Sequence, residues 1–162
     1  MNSSSLKSKA FGQHNRESKY DIFVSYARKD GRYAHELSDN LKGLKTAISF
    51  SVFIDKEELR AGDDLKNKIE GALHSSSIFI IIATPYYFAS DWAFPREFPL
   101  IKTAVVASAE KRIITLVYEE CDFLLEYHRL NRYLFANFSR TRKRSYNKLI
   151  SDLYKTISTS GT

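Results

Sequence analysis

The sequence predicts an α/β domain built on a parallel sheet with helices on both faces. Short β-prone runs at 20–25, 49–54, 77–84, 112–118 and 133–138 alternate with stretches whose apolar residues recur at helical spacing. The most apolar of these runs, SIFIIIAT at 77–84, has no polar alternation, as expected of a central strand covered on both sides. No internal repeat or change in composition divides the chain, so residues 19–158 read as one domain, with a flexible polar arm at 1–18 and a short tail at 159–162.

The first strand lies in YDIFVSYA, where Tyr20, Ile22, Phe23 and Val24 are β-prone. Asp30-Gly31 breaks it, and Tyr33, Leu37, Leu41 and Leu44 then mark a helix. SFSVFI at 49–54 is the second strand. Asp63 or Asp64 caps the next helix, whose stripe is Leu65, Ile69, Ala72 and Leu73. After the third strand and Pro85 the pattern loosens through YYFASDWAF. Pro95 then stands where a helix can begin, and Pro99 removes a hydrogen bond close by, so this helix should be irregular near its start. RIITLVY (112–118) is the fourth strand, 121–133 is mixed with a short helix, YLFANF (133–138) is the fifth strand, and YNKLISDLYKTI (146–157) closes the chain as a helix.

Composition excludes several functions. No apolar run reaches the roughly 18 residues of a spanning helix. The first residues lack an apolar signal core, and Asn2 occupies the place of a myristoylated glycine. Cys121 is the single cysteine, which rules out an internal disulfide framework and fits a reducing, cytoplasmic setting. The net charge of +6 sits partly in SRTRKRSYNK at 139–148, read as a solvated loop leading into the closing helix. No nucleic-acid motif or interleaved aromatic platform supports a nucleic-acid partner. GxxxxGK[ST], GxGxxG, HExxH and GxSxG are all missing, and His14, His35, His74 and His128 are scattered without metal-ligand spacing.

In a parallel sheet of this kind ligands sit outside the carboxyl ends of the strands. Three segments should meet there: Ser25-Tyr26-Ala27-Arg28, the charged turn from Asp55 to Gly62, and Thr84 to Glu97. Glu97, in SDWAFPREF, is either a helix-start acid paired with Arg96, Lys102 or a capping amide, or the carboxylate of a site. Trp92 either packs under its loop or faces that site, and Arg28 is either a solvated turn residue or a ligand contact.

The motifs YDIFVSYARKD, FSVFIDKEELRAGDDL and SSIFIIIATPYYFASDW followed by Glu97 resemble the Toll/interleukin-1 receptor (TIR) domain family, and within it the bacterial, NAD-cleaving members. The resemblance covers about residues 20–158. It implies a flavodoxin-like, three-layer fold with a five-stranded parallel sheet. It labels 55–63 as the BB loop, which in TIR enzymes folds over substrate and joins contacts between domains. It implies that Glu97 is the catalytic glutamate, although the family usually places that residue four positions after its tryptophan and Glu97 lies five after Trp92. No other acid stands between Trp92 and Glu110.

By the same resemblance Ser25, Tyr26 and Ala27 line the pocket floor, and Arg28 holds a phosphate or the carboxamide oxygen. Phe53 or Trp92 stacks on nicotinamide. Asp55, Leu59 and Gly62 serve the loop, Leu59 by docking it and Gly62 by giving it a hinge. The implied reaction is cleavage of NAD+ to nicotinamide and ADP-ribose or a cyclic isomer, with NAD+ as substrate and no cofactor. The implied partners are other copies through TIR–TIR contacts and a product-sensing effector protein in bacterial defence. The alternative is a non-catalytic adaptor, or a mimic of host TIR domains, in which Asp55, Glu57, Glu58 and the basic run serve as binding faces.

Overall fold

The computed structural model describes residues 20–45, 48–54, 64–120, 135–137 and 142–160. The first strand is Ile22–Ser25 (β1), followed by a single tight turn at Arg28–Asp30 and the helix Gly31–Lys45 (α1). Then come Val52–Ile54 (β2), Leu65–Ser75 (α2), Ile78–Ala83 (β3) and a short helix, Pro85–Phe88 (α3). A π-helical turn at Ala93–Glu97 runs into Phe98–Ala107 (α4), and Arg112–Val117 (β4), Phe135–Asn137 (β5) and Arg142–Ser160 (α5) complete the chain. The arm at 1–18, the charged loop at 55–63 and residues 121–133 lie outside the described residues.

All neighbouring strands pair in parallel, in the order β2-β1-β3-β4-β5. The chain therefore steps outward from β1 to β2, returns past β1 to β3, and builds on in the opposite direction. That reversal between β1 and β3 is the topological switch point of a doubly wound sheet. Strand alternation divides the core. Ile22, Val24, Ile54, Ile80 and Leu116 pack with Leu37 and Leu41 of α1 and Leu149 and Leu153 of α5. Phe23, Phe53, Phe79 and Ile81 pack on the other face with Ile69 and Leu73 of α2 and Ile101 of α4. Every residue of β3 is buried, as a central strand between two helical layers must be.

Several expected boundaries shift for local reasons. β2 is shorter than 49–54 because the Asp21 carboxylate accepts the Ser51 N–H at 2.9 Å, taking that donor out of the sheet ladder. Asp64, rather than Asp63, caps α2 and accepts from the Asn67 N–H at 3.4 Å. α5 begins at Arg142, so most of the basic run is helical rather than loop, with Lys143, Arg144 and Lys148 exposed along it. α3 was not expected. Thr84 is its N-cap, accepting from the Tyr87 N–H at 3.1 Å, and Pro85 stands in its first turn. No helix among the described residues is long and apolar enough to cross a membrane.

The loops leaving β1 and β3 are tied together. Thr84 Oγ1 donates to Asp30 Oδ2, and Asp30 is 1% exposed. Desolvation by burial is the largest influence on this carboxyl and raises its pKa above the ordinary 3.8; the Thr84 hydrogen bond opposes that, Glu119 adds to it and Arg32 lowers it.

Two outcomes follow from this packing. Phe53 is fully buried, with its ring 5.2 Å from Phe23 and 5.1 Å from Tyr20. Phe53→Ala should destabilise the fold by about 3–5 kcal/mol in urea unfolding, as loss of a core ring does, and a change near zero would place it outside the core. Because Asp30 holds its proton more tightly folded than unfolded, its contribution to stability grows as pH falls through its raised folded-state pKa. Wild type should therefore gain stability relative to Asp30→Asn on acidification from neutral pH, followed by thermal unfolding across a pH series; a wild-type advantage that grows with rising pH contradicts this.

Candidate active site

Ser25 is the last residue of β1, and at the switch point its side chain lies on the α2 and α4 side of the sheet with Phe23. It is completely buried. Its Oγ donates to Glu97 Oε2 at 2.8 Å and lies 3.0 Å from the Tyr87 hydroxyl. Glu97 is 3% exposed and Tyr87 fully buried. Three segments distant in sequence thus meet at the carboxyl edge: the end of β1, α3 after β3, and the π turn before α4. A buried carboxyl group needs hydrogen-bond donors in place of the water it has lost, and Ser25 supplies one.

The π turn explains how Glu97 reaches Ser25. Pro99 has no N–H to offer the Pro95 carbonyl, and the Phe98 N–H reaches past Phe94 to Ala93 O, five residues back. Ser90 Oγ organises the entry, accepting from the Trp92 and Ala93 N–H groups at 3.1 and 3.0 Å. A ring closed over five residues holds one residue more than an α-turn, and Glu97 is the last residue of this wider turn, at the start of α4. Glu97 also sits at the amino end of α4, where the helix dipole favours negative charge.

The remaining predicted residues divide. Tyr26 and Ala27 follow Ser25 and are buried, Tyr26 toward the α1 and α5 layer and Ala27 toward the α2 and α4 layer. Arg28 opens the turn after them and is exposed. Trp92 is half-buried at the edge of the same core, with the Arg96 guanidinium 4.6 Å above its ring. Phe53 is corrected: it faces the core beside Phe23 with no exposed surface, so it is not open to stack on a ligand. Asp55, Leu59 and Gly62 lie outside the described residues. Tyr87 is the residue that sequence reasoning passed over. The signal was present in ATPYYF, where a Thr N-cap followed by proline starts a helix and sets Tyr87 one turn in.

Comparison with known proteins fits this architecture. The family model described as TIR domain matches residues 22–150. A probable 2′ cyclic ADP-D-ribose synthase, TcpB of Brucella abortus, is 29% identical over 114 residues, 70% of this chain and 43% of that protein. The NAD(+) hydrolase PdTIR of Paracoccus denitrificans is 24% identical over 148 residues, 85% of this chain and 44% of that protein. The chain thus spans less than half the length of either relative. Among solved structures, the TIR domains of the activated Roq1 resistosome superpose with a TM-score of 0.58 at 15% identity, covering 86% of this chain and 99% of that one. With its sheet order, its layers and four-fifths of its length matched in this way, the chain belongs to the TIR-domain family.

Proposed function

We propose that the domain cleaves the nicotinamide–ribose bond of NAD+, with Glu97 as the catalytic carboxylate. The observation that carries this reading is the burial of Glu97 at the switch-point edge, held by a serine hydroxyl from the end of β1. A TIR module that only binds other TIR domains has no need of a buried carboxyl there. The names of the relatives, a 2′ cyclic ADP-D-ribose synthase and an NAD(+) hydrolase, point to the same bond.

The chemistry suits a single carboxylate. The nicotinamide ring of NAD+ is cationic and leaves with the bonding electron pair as a neutral base, so its departure needs no general acid and no bound cofactor. Charge builds on the ribose as an oxocarbenium-like centre. Glu97 accepts hydrogen bonds from ribose hydroxyls and stabilises that charge as it develops. Water then adds to the ribosyl carbon and loses a proton, giving ADP-ribose; attack by a nucleophile of the same molecule gives a cyclic isomer. In this reading Trp92, half-buried, stacks on nicotinamide, and Arg28, exposed in the turn after β1, meets a phosphate. Ser25 and Ala27, on the same side of the sheet as Glu97, back this site, while Tyr26 faces the other layer.

Assembly completes the proposal. Copies pack through TIR–TIR contacts, a reading supported by the name of one structural relative, the TIR domains of an activated resistosome. The product acts as a diffusible signal to a companion effector protein in a defence response. The cytoplasm, reducing and supplied with NAD+, is the compartment that suits both the single cysteine and the substrate.

Purified protein incubated with NAD+ should release nicotinamide, followed by chromatography. Glu97→Gln, still folded, should lose on the order of a hundred- to a thousand-fold in rate. Release that persists in that variant overturns the assignment. Specific activity should also rise with protein concentration, as expected where copies complete one another's sites, and a flat response over a wide range contradicts the assembly.

A further inference from the structure

We propose that Tyr87 is a positioning residue for Glu97, acting through Ser25 along a buried hydrogen-bonded relay. The proposal rests on Glu97 being the carboxylate at the reacting ribose. The direction of the relay follows from proton counting. A serine hydroxyl has one hydrogen, and that of Ser25 is committed to Glu97 Oε2 at 2.8 Å. At 3.0 Å from Ser25 Oγ, the Tyr87 hydroxyl must therefore be the donor of the second bond. The order is Tyr87 Oη to Ser25 Oγ to Glu97 Oε2.

The donor and the middle of this relay are fixed by separate structure. Ser25 is held in β1 and registers with Ile81 of β3. The Tyr87 backbone N–H is bonded to Thr84 Oγ1, and its ring meets Phe88 edge-on at 5.4 Å and Phe94 at 6.2 Å. Phe94 belongs to the π turn that carries Glu97, so the ring packs against the element on which the carboxyl is mounted. Such a ring cannot turn its hydroxyl away without disturbing the aromatic cluster. In a buried setting each bond of the chain polarises the next, so the phenol strengthens the donor that Ser25 presents to Glu97. The effect falls on the charge Glu97 offers the transition state and on the angle at which it is offered, rather than on substrate binding.

The test is a double-mutant cycle in Tyr87→Phe and Ser25→Ala, with kcat and KM for NAD+ cleavage measured for all four proteins and thermal unfolding used to confirm folding. Tyr87→Phe keeps the ring and removes only the hydroxyl. It should lower kcat up to on the order of ten-fold, with KM little changed. Ser25→Ala should lose more, and the double variant should be no worse than Ser25→Ala, because the relay is then already broken at its middle. Independent, multiplying effects, or a loss confined to KM, overturn the relay.

A second readout does not depend on activity. The side-chain carboxyl signal of Glu97, followed by carbon-13 NMR and assigned by its loss in Glu97→Gln, should move in Tyr87→Phe where Ser25 is present and stay unmoved by the same change in Ser25→Ala. A Tyr87 that served packing alone would give the same response in both backgrounds, and that result also overturns the proposal. If wild type releases no nicotinamide, the NAD+ reading falls while the carboxyl signal still decides the relay.

Discussion

A carboxyl group taken out of water must be met by donors, and in this chain that requirement falls on Glu97, 3% exposed beside the end of β1. The Ser25 hydroxyl meets it. For that bond to form, β1 must end at Ser25, β3 must lie beside β1, and α4 must be entered through a turn with an extra residue. The parallel order β2-β1-β3-β4-β5 supplies the first two conditions, since it sets neighbouring carboxyl ends side by side at the switch point. The π turn supplies the third.

The surroundings of the bond are arranged to keep it. Thr84 donates to Asp30 from one side and accepts the Tyr87 N–H from the other, so the loop after β1 and the helix after β3 share one hydroxyl. The Asp30 carboxyl is held out of water at a cost that its raised pKa records. Below these groups Phe23, Phe53 and Phe79 fill the space between sheet and helices, giving the edge a stiff base. Two buried acids within one small region oppose folding.

Much of the fold was legible because its signals are local. β3 has no polar residue to hide, α1 repeats leucine at helical spacing, and the alternation of strands and helices implies a parallel sheet. That the segments carrying Ser25 and Glu97 emerge at one carboxyl edge followed from strand direction alone. What was not legible is tertiary. The partner of Glu97 is 72 residues away, and nothing near SDWAFPREF announces it. Two prolines warned of irregularity without saying that it would take the form of an added residue. The alternation of β2 put Phe53 in the core beside Phe23, and an aromatic residue near a strand end carries no local mark of which layer it faces. Asp30 read as a turn residue, because a sequence does not state that a turn will be covered.

The account is tested most directly by a crystal structure of the protein with an NAD+ analogue whose nicotinamide–ribose bond resists cleavage. It predicts the ribose hydroxyls within hydrogen-bond reach of the Glu97 carboxyl, with Ser25 still donating to that group. A nucleotide seated with its ribose away from Glu97, or bound at another face of the sheet, would contradict it.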